Sequence, residues 1–212
     1  MEIKSRVPFI SHAQLEAAAD RLLAQYEREI QPVFSPPVPV EQIADFLLEL
    51  GIEWLDIPDS DESPILAYLH PGAGTIRLNE RRLAYFEAHP GTYEYTLAHE
   101  IGHYQLHLTP GDNPAQVFVY RHRQSVKDRR EWQAEQFASY LLLPERLLLP
   151  ALEGVELYRW PNLYRLRDQF GVSITALRIR LEALGYLHVG GNGKLYPNQL
   201  TAARDHRQEM QR

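Results

Sequence analysis

Residues 96–107 have the sequence Thr-Leu-Ala-His-Glu-Ile-Gly-His-Tyr-Gln-Leu-His, and this segment determines the predicted fold. Pro-Gly pairs stand before it, at 90–91, and after it, at 110–111. Because proline and glycine interrupt helices, the two pairs predict a single helix between them. Leu97 and Ile101 repeat at helical spacing, which gives that helix an apolar face. We therefore expect this helix to pack against a core.

Two histidines of the helix, His99 and His103, are four residues apart. On an α-helix this spacing places them about 40° apart around the axis and about 6 Å apart along it. Both imidazoles can reach one metal ion, since a zinc–nitrogen bond is about 2.0–2.1 Å long. Glu100 lies about 100° around the axis from His99, where its carboxylate can accept a proton from a coordinated water. The spacing predicts a metal-dependent hydrolase with Glu100 as general base.

The ordinary alternative for these residues is a solvated helix with two surface histidines. Gly102 argues against it, because glycine inside a helix costs about 1 kcal/mol relative to alanine. A glycine in this position indicates that another element approaches the helix closely. We therefore expect the histidines to lie in a packed site.

Composition limits the kind of site and the kind of partner. The chain has 212 residues, no cysteine and a formal net charge of −6. A metal must then be held by histidine and carboxylate side chains, and disulfides are excluded. The negative charge disfavours general DNA binding, because phosphate backbones are held mainly by Lys and Arg. The first residues lack a signal-peptide core and the apolar runs are too short to span a bilayer, so we predict a cytoplasmic protein without membrane contact.

The third metal ligand stays open on spacing alone. His107 lies on the same stripe of the helix, but it is about 12 Å from His99, too far for both to hold one ion. We expect His107 to support a ligand or to be a surface residue. Glu131 and Glu135 are four residues apart on a later predicted helix. Either one can be the ligand while the other orients a histidine.

Local signals divide the first two thirds of the chain into helices and strands. A capping box at Ser11 and Gln14 begins the first helix, and Gly51 is expected to cap the second. The glycine-rich turn at 71–74 joins two strands as a hairpin, so a small antiparallel sheet is expected. The predicted helices cover 11–30, 40–50, 92–108 and 126–143, and the predicted strands cover 52–55, 65–70, 75–79 and 117–120.

The C-terminal part has a different pattern. Residues 163–187 are predicted to form two helices around the turn 171–173, with Ser173 as an N-cap, which is typical of a helix-turn-helix unit. Such a unit can bind DNA, here through Thr175, Arg178 and Arg180, or it can serve in packing and substrate docking. The net charge favours the second interpretation. The predicted domains are a metallopeptidase domain at 1–150, the helical unit at 151–190 and a flexible tail at 191–212.

Three motifs together resemble one known family, over residues from about 39 to 186. They are His-Glu-Ile-Gly-His-Tyr-Gln-Leu-His at 99–107, Glu-x-x-Ala-Glu-x-Phe-Ala at 131–138 and Leu-Leu-Leu-Pro at 141–144. In these motifs the chain is similar to the ImmA/IrrE family of metallopeptidases. The resemblance implies an α+β fold with a mainly helical, zincin-like core of the gluzincin kind.

The resemblance also implies roles for individual residues. It makes Glu131 the third ligand of a Zn²⁺ cofactor, beside His99 and His103. Glu135 then stands where relatives more often have Asn or Asp to hold a histidine, and Glu135 and His107 are candidate supporting residues. The donor that stabilises the oxyanion is not identified, with Tyr104, Tyr140 and His107 as candidates.

The function implied by the resemblance is selective proteolysis. Members of the family typically cut helix-turn-helix repressors at one or few sites, often under stress. We therefore expect a zinc endopeptidase that cleaves such a transcriptional repressor and releases stress or mobile-element genes. The alternative is a DNA-binding or partner-binding regulator, for example a toxin–antitoxin component, that keeps a zinc site without broad proteolysis.

Overall fold

A computed structural model of the protein describes residues 7–58, 64–108, 118–121 and 129–209. In these ranges helices predominate and the strands form two small sheets, so the predicted α+β class is confirmed. The helices are α1 (His12–Glu29), α2 (Val40–Gln42), α3 (Leu83–Ala88), α4 (Thr92–His107), α5 (Arg129–Leu142), α6 (Glu145–Leu152), α7 (Trp160–Phe170), α8 (Ile174–Ala183) and α9 (Gln199–Glu209). The strands are β1 (Gly51–Leu55), β2 (Ile65–His70), β3 (Thr75–Asn79), β4 (Phe118–Arg121), β5 (His188–Val189) and β6 (Leu195–Tyr196).

The larger sheet has the strand order β1-β3-β2-β4 and is mixed, which corrects the prediction of an antiparallel sheet. β2 pairs antiparallel with β3 and with β4, but β1 runs parallel to β3. The reason is topological: the tight turn at Pro71–Ala73 makes β2 and β3 a hairpin, and β4 pairs with its β2 edge, so β1 pairs with its β3 edge and runs parallel to β3. The hairpin was predictable from its turn. The crossover from β1 to β2, which are separated in the sheet by β3, was not.

Asn79 fixes the crossover between β1 and β2. Its side chain is fully buried at the end of β3. The amide Nδ2 donates to the Ile65 carbonyl at 2.9 Å, and Oδ1 accepts from the N–H groups of Ile57 at 3.3 Å and Arg81 at 3.1 Å. One side chain therefore satisfies the backbone on both sides of the crossover and at the start of the next helical turn.

The segment 40–50 differs from the single helix that was predicted. α2 continues as a π-helix over Ile43–Leu47, and Gly51 is the first residue of β1 instead of a helix cap. The backbone with positive φ is at Glu49, with φ of 54°. Strand pairing explains the difference, because the Gly51 N–H donates to the Gly74 carbonyl at 2.9 Å and so extends the sheet.

α4 and α5 pack closely where Gly102 faces the second helix. A Cβ atom at Gly102 would lie 3.2 Å from Cα and O of Ala134 and 3.2 Å from Cδ1 of Phe137. The prediction that Gly102 marks a close approach is therefore confirmed. The contact brings the α4 histidines next to the start of α5, while β2 packs on α4 from the sheet.

The C-terminal helices share the core of the remaining protein. Leu163, Phe170 and Leu177 are buried in the same hydrophobic cluster as Leu15 of α1 and Leu97 of α4. The domain boundary that we predicted after residue 150 falls inside α6. The N-cap prediction for α8 is confirmed, since Ser173 Oγ accepts from the Ala176 N–H at 3.1 Å.

α8 places its two arginines differently. Arg180 is 4% exposed, donates to the Leu143 carbonyl at 3.2 Å, pairs with Glu16 and lies over the Tyr140 ring at 4.7 Å. Arg178 pairs with Glu182 at 3.1 Å. Arg180 therefore faces the core and is not available to the bases of DNA, contrary to the DNA-binding interpretation.

The region 191–212 was predicted to be a flexible tail, but its described part has regular structure. β5 and β6 form a hairpin, and α9 follows it. Asp205 of α9 accepts from the Tyr196 hydroxyl at 2.6 Å and pairs with Lys194 at 3.3 Å. The tail prediction missed these contacts because the sequence there has little hydrophobic periodicity. Of the helices in the described ranges, none has both the length and the apolar surface that crossing a bilayer requires.

Candidate metal centre

Three side chains converge where α4 meets α5. The Nε2 atoms of His99 and His103 are 3.0 Å apart. One carboxylate oxygen of Glu131 lies 3.3 Å from His99 Nε2, and the other lies 3.2 Å from His103 Nε2. Taken together, one ligand atom from each residue lies within 4.8 Å of the others. Two imidazole nitrogens and a carboxylate oxygen are a donor set that suits a catalytic zinc ion.

Burial sets the charges of these three groups. It lowers the pKa of both His99 and His103, which are fully buried, so both rings are neutral at pH 7 and can donate a lone pair. Burial also raises the pKa of Glu131, but the hydrogen bonds from His103 and His99 outweigh it and bring that pKa to about 2. The site therefore presents two neutral imidazoles and one carboxylate, the net charges that metal binding requires, and a metal ion would take the place of the Nε2 protons that face Glu131.

Glu100 lies beside the three ligand candidates and is fully buried. Burial, followed by the charge of Glu131, raises the pKa of Glu100 well above its usual range, while the Leu69 backbone N–H acts in the opposite direction. Within the described part of the chain, neither carboxylate oxygen accepts a hydrogen bond of ordinary geometry. A buried carboxylate with a raised pKa can accept a proton near neutral pH and return it.

His107 contacts a ligand candidate instead of joining the cluster, as the spacing predicted. Its Nδ1 atom is 2.9 Å from His103 Nδ1, and its Nε2 atom is 2.9 Å from Oε1 of Gln133. Gln133 is fully buried and also donates through Nε2 to the Pro8 carbonyl at 2.8 Å. Burial, the largest influence, lowers the pKa of His107 to about 4.

Gln133 was missed by the sequence analysis. It is two residues after Glu131, a spacing that places it on another side of the helix. Its partners are His107 on α4 and the backbone of Pro8, which is 125 residues away in sequence. Such a contact arises from the packing of distant segments, and no local pattern indicates it.

Two other predicted positions have different outcomes. Glu135 is partly exposed one turn after Glu131, and its role in holding a histidine stays a prediction. The Tyr140 hydroxyl lies 2.6 Å from His12 Nδ1, and its ring lies under Arg180. Tyr140 is thus engaged in packing between α1, α5 and α8.

The arrangement as a whole contains the groups that a metal-dependent peptidase needs: three converging ligand candidates and an adjacent buried carboxylate. Comparison with protein families agrees with this class. A family model described as the IrrE N-terminal-like domain, peptidase M78, matches residues 57–182. The chain belongs to the ImmA/IrrE family of metallopeptidases, and the matched region contains all three ligand candidates. A search of curated proteins finds no match to this chain.

Proposed function

We propose that this protein is a zinc-dependent endopeptidase in which His99, His103 and Glu131 hold the ion and Glu100 is the general base. The observation that carries the proposal is the convergence of these ligands, which lie within 4.8 Å of one another beside a buried Glu100. A purely structural zinc site usually has four protein ligands and has no use for an adjacent base. Three ligands and a base favour catalysis.

Each side chain then has a defined task in peptide hydrolysis. When bound, the ion would act as a Lewis acid that polarises the peptide carbonyl and makes a water molecule more acidic. Glu100 accepts a proton from the attacking water and passes it to the amine that leaves. The neutral rings of His99 and His103 and the carboxylate of Glu131 fix the position of the reaction next to Glu100. Burial around Glu100 strengthens its interactions with developing charge.

The substrate that we propose is a helix-turn-helix transcriptional repressor in the cytoplasm, and its cleavage would release stress or mobile-element genes. Support comes from membership of the ImmA/IrrE family and from the mode of action known for that family. Selective cleavage also fits a compact protein whose candidate site is one helix pair. We expect the exposed surface beside this pair to bind the repressor and to present one loop to the site.

The test uses zinc-loaded protein and its Glu100→Gln variant, each incubated with repressors encoded near its own gene. New termini mapped by mass spectrometry should appear at one or few positions with the wild type and be absent with the variant. Cleavage of unfolded casein at many sites, with every repressor left intact, would refute the substrate while leaving the peptidase assignment in place.

The alternative of a DNA-binding regulator has less support. Of the side chains that would reach bases, Arg180 is buried against Glu16 and Tyr140, and Arg178 pairs with Glu182. A chain with a net charge of −6 also repels phosphate. We therefore expect no salt-dependent binding of this protein to duplex DNA in a gel-shift assay, and the helical pair α7 and α8 to serve in packing or docking.

A further inference from the structure

A line of polar groups connects the candidate metal centre to the N-terminal segment, residues 7–11. It runs from His103 through His107 and Gln133 to the Pro8 carbonyl, with successive distances of 2.9, 2.9 and 2.8 Å. His103 and Gln133 are fully buried, and His107 is 9% exposed. Hydrogen bonds need one donor and one acceptor each, so the direction of every bond in this line can be worked out.

From the Pro8 end the direction is unambiguous. A carbonyl oxygen can only accept, so the amide nitrogen of Gln133 must face Pro8. The other end of the same amide, Oε1, must then face His107, and an amide oxygen also only accepts. The proton of His107 is consequently on Nε2. A glutamine amide with both ends engaged cannot flip without losing both bonds.

From the metal end the same reasoning runs in the opposite direction. His103 Nε2 is the atom that faces His99 Nε2 at 3.0 Å and Glu131 at 3.2 Å. A ligating nitrogen needs a free lone pair, so a metal ion would take the place of any proton on Nε2 and leave the proton of His103 on Nδ1. That proton points at His107 Nδ1, 2.9 Å away, which must therefore accept. Both ends require the same tautomer of His107, with its proton on Nε2 and a lone pair on Nδ1.

We propose that Gln133 and His107 are positioning residues that hold His103 in the tautomer that binds the metal, with the Pro8 carbonyl as the fixed end of the series. This inference rests on the proposed function, because it takes His103 as a ligand. Without the Gln133 acceptor, the proton of His107 is free to move to Nδ1. Two N–H groups would then face each other, and His103 would lose its ligand tautomer or its orientation.

The first test measures zinc affinity by competition with a chromophoric chelator. Gln133→Leu removes both bonds of the amide and should weaken zinc binding by about 10–100-fold, the usual effect of losing a group that orients a ligand. The matched control is Gln105→Leu, the same substitution at an exposed position of α4, which should leave the affinity within about twofold.

The second test begins with the wild type, so its first result does not depend on a variant that folds. Long-range ¹H–¹⁵N correlation spectra of the zinc-loaded wild type report which nitrogen of each histidine carries its proton. We expect His103 to be protonated on Nδ1 and His107 on Nε2 only. In Gln133→Leu, the His107 signals should move toward the other tautomer, a change that loss of packing alone would not produce.

The outcomes separate this inference from the function on which it rests. A wild type that binds no zinc overturns the proposed function and this inference with it. A wild type that binds zinc, with Gln133→Leu binding equally well, overturns this inference alone. A His107 that carries its proton on Nδ1, or on both nitrogens, in the zinc-loaded wild type also overturns it.

Discussion

Glu131 and Glu135 present the sharpest choice among single residues, because spacing allowed either to be the ligand. In the structure it is Glu131 whose carboxylate faces both histidines, at 3.2 and 3.3 Å. We expect His99→Ala, His103→Ala and Glu131→Ala each to empty the site or weaken it greatly, measured as zinc per chain by atomic emission. Glu135→Ala should weaken binding by only about 10–100-fold. An empty site in Glu135→Ala beside a full site in Glu131→Ala would reverse the assignment.

The role of Glu100 is separable from metal binding. Glu100→Gln keeps the size of the side chain but removes its ability to accept a proton, so zinc content should be unchanged. The cleavage rate should fall by about 10²–10⁴ or more, since a general base is commonly worth that factor. Rates come from a time course on the cleaved repressor, with zinc content measured on the same samples. A variant that cleaves as fast as the wild type would place the base elsewhere.

At this scale the sequence was most informative within one helix. His99, Glu100 and His103 were predictable because an α-helix fixes the relative directions of side chains one and four residues apart, whatever the helix packs against. Glu131 needed either the resemblance or the structure, because its position depends on how α5 meets α4. Gln133 depends on α5, α4 and the N-terminal segment together, and nothing in its sequence neighbourhood points to it.

The contact between α4 and α5 sets the distance between the ligand candidates of the two helices. Gly102 lies where the helices pack closely. Gly102→Ala would gain about 1 kcal/mol of helix propensity. Its Cβ would also meet the backbone of Ala134 at 3.2 Å, and overpacking of this kind costs about 1–3 kcal/mol. We expect a net loss of stability in urea unfolding, together with weaker zinc binding because α5 carries Glu131.

Gly191→Ala is the matched control for this substitution. A Cβ there meets no atom of the described chain within 4 Å, so its unfolding midpoint should stay close to that of the wild type. A Gly102→Ala protein as stable as wild type, with unchanged zinc affinity, would show that α5 can move away from α4 without disturbing the site.

Elements with a local signal were predictable, and those defined by distant partners were less so. The capping box of Ser11 and Gln14 correctly began α1, and the Pro-Gly pairs correctly enclosed α4. The parallel pairing of β1 arises because β1 pairs with the β3 edge of the hairpin, while β4 pairs with its β2 edge. The described part of 191–212 depends on contacts between α9 and the hairpin, such as Asp205 with Tyr196, which hydrophobic periodicity does not register.

For the molecule as a whole, Arg180 connects parts that are far apart in sequence. It joins α8 to Glu16 of α1, to the Leu143 carbonyl after α5 and to the ring of Tyr140. Arg180→Met should lower the free energy of unfolding by about 1–3 kcal/mol, because a buried carbonyl loses its donor and Glu16 loses its partner. Chemical denaturation monitored by tryptophan fluorescence measures this loss.

Arg178→Met is the control on the same helix. Its pair with Glu182 is partly exposed, and such pairs contribute less than about 1 kcal/mol. Equal stability of the two variants would mean that Arg180 does not join the C-terminal helices to the core. A larger loss in Arg180→Met would show that Arg180 holds α8 on the core. The role of α7 and α8 in docking is best tested by surface substitutions, because deleting these helices would remove Leu163 and Phe170 from the shared core.

The N-terminal segment lies directly on the helix that carries Glu131. Arg129 donates to the Val7 carbonyl at 2.8 Å, Gln133 donates to the Pro8 carbonyl at 2.8 Å, and Phe9 stacks on Trp132. An affinity tag fused ahead of this segment would be held close to the candidate metal centre. A histidine tag in that position would compete with the site for zinc. Metal stoichiometry is therefore best measured on protein purified with a cleavable tag at its carboxyl end, after α9.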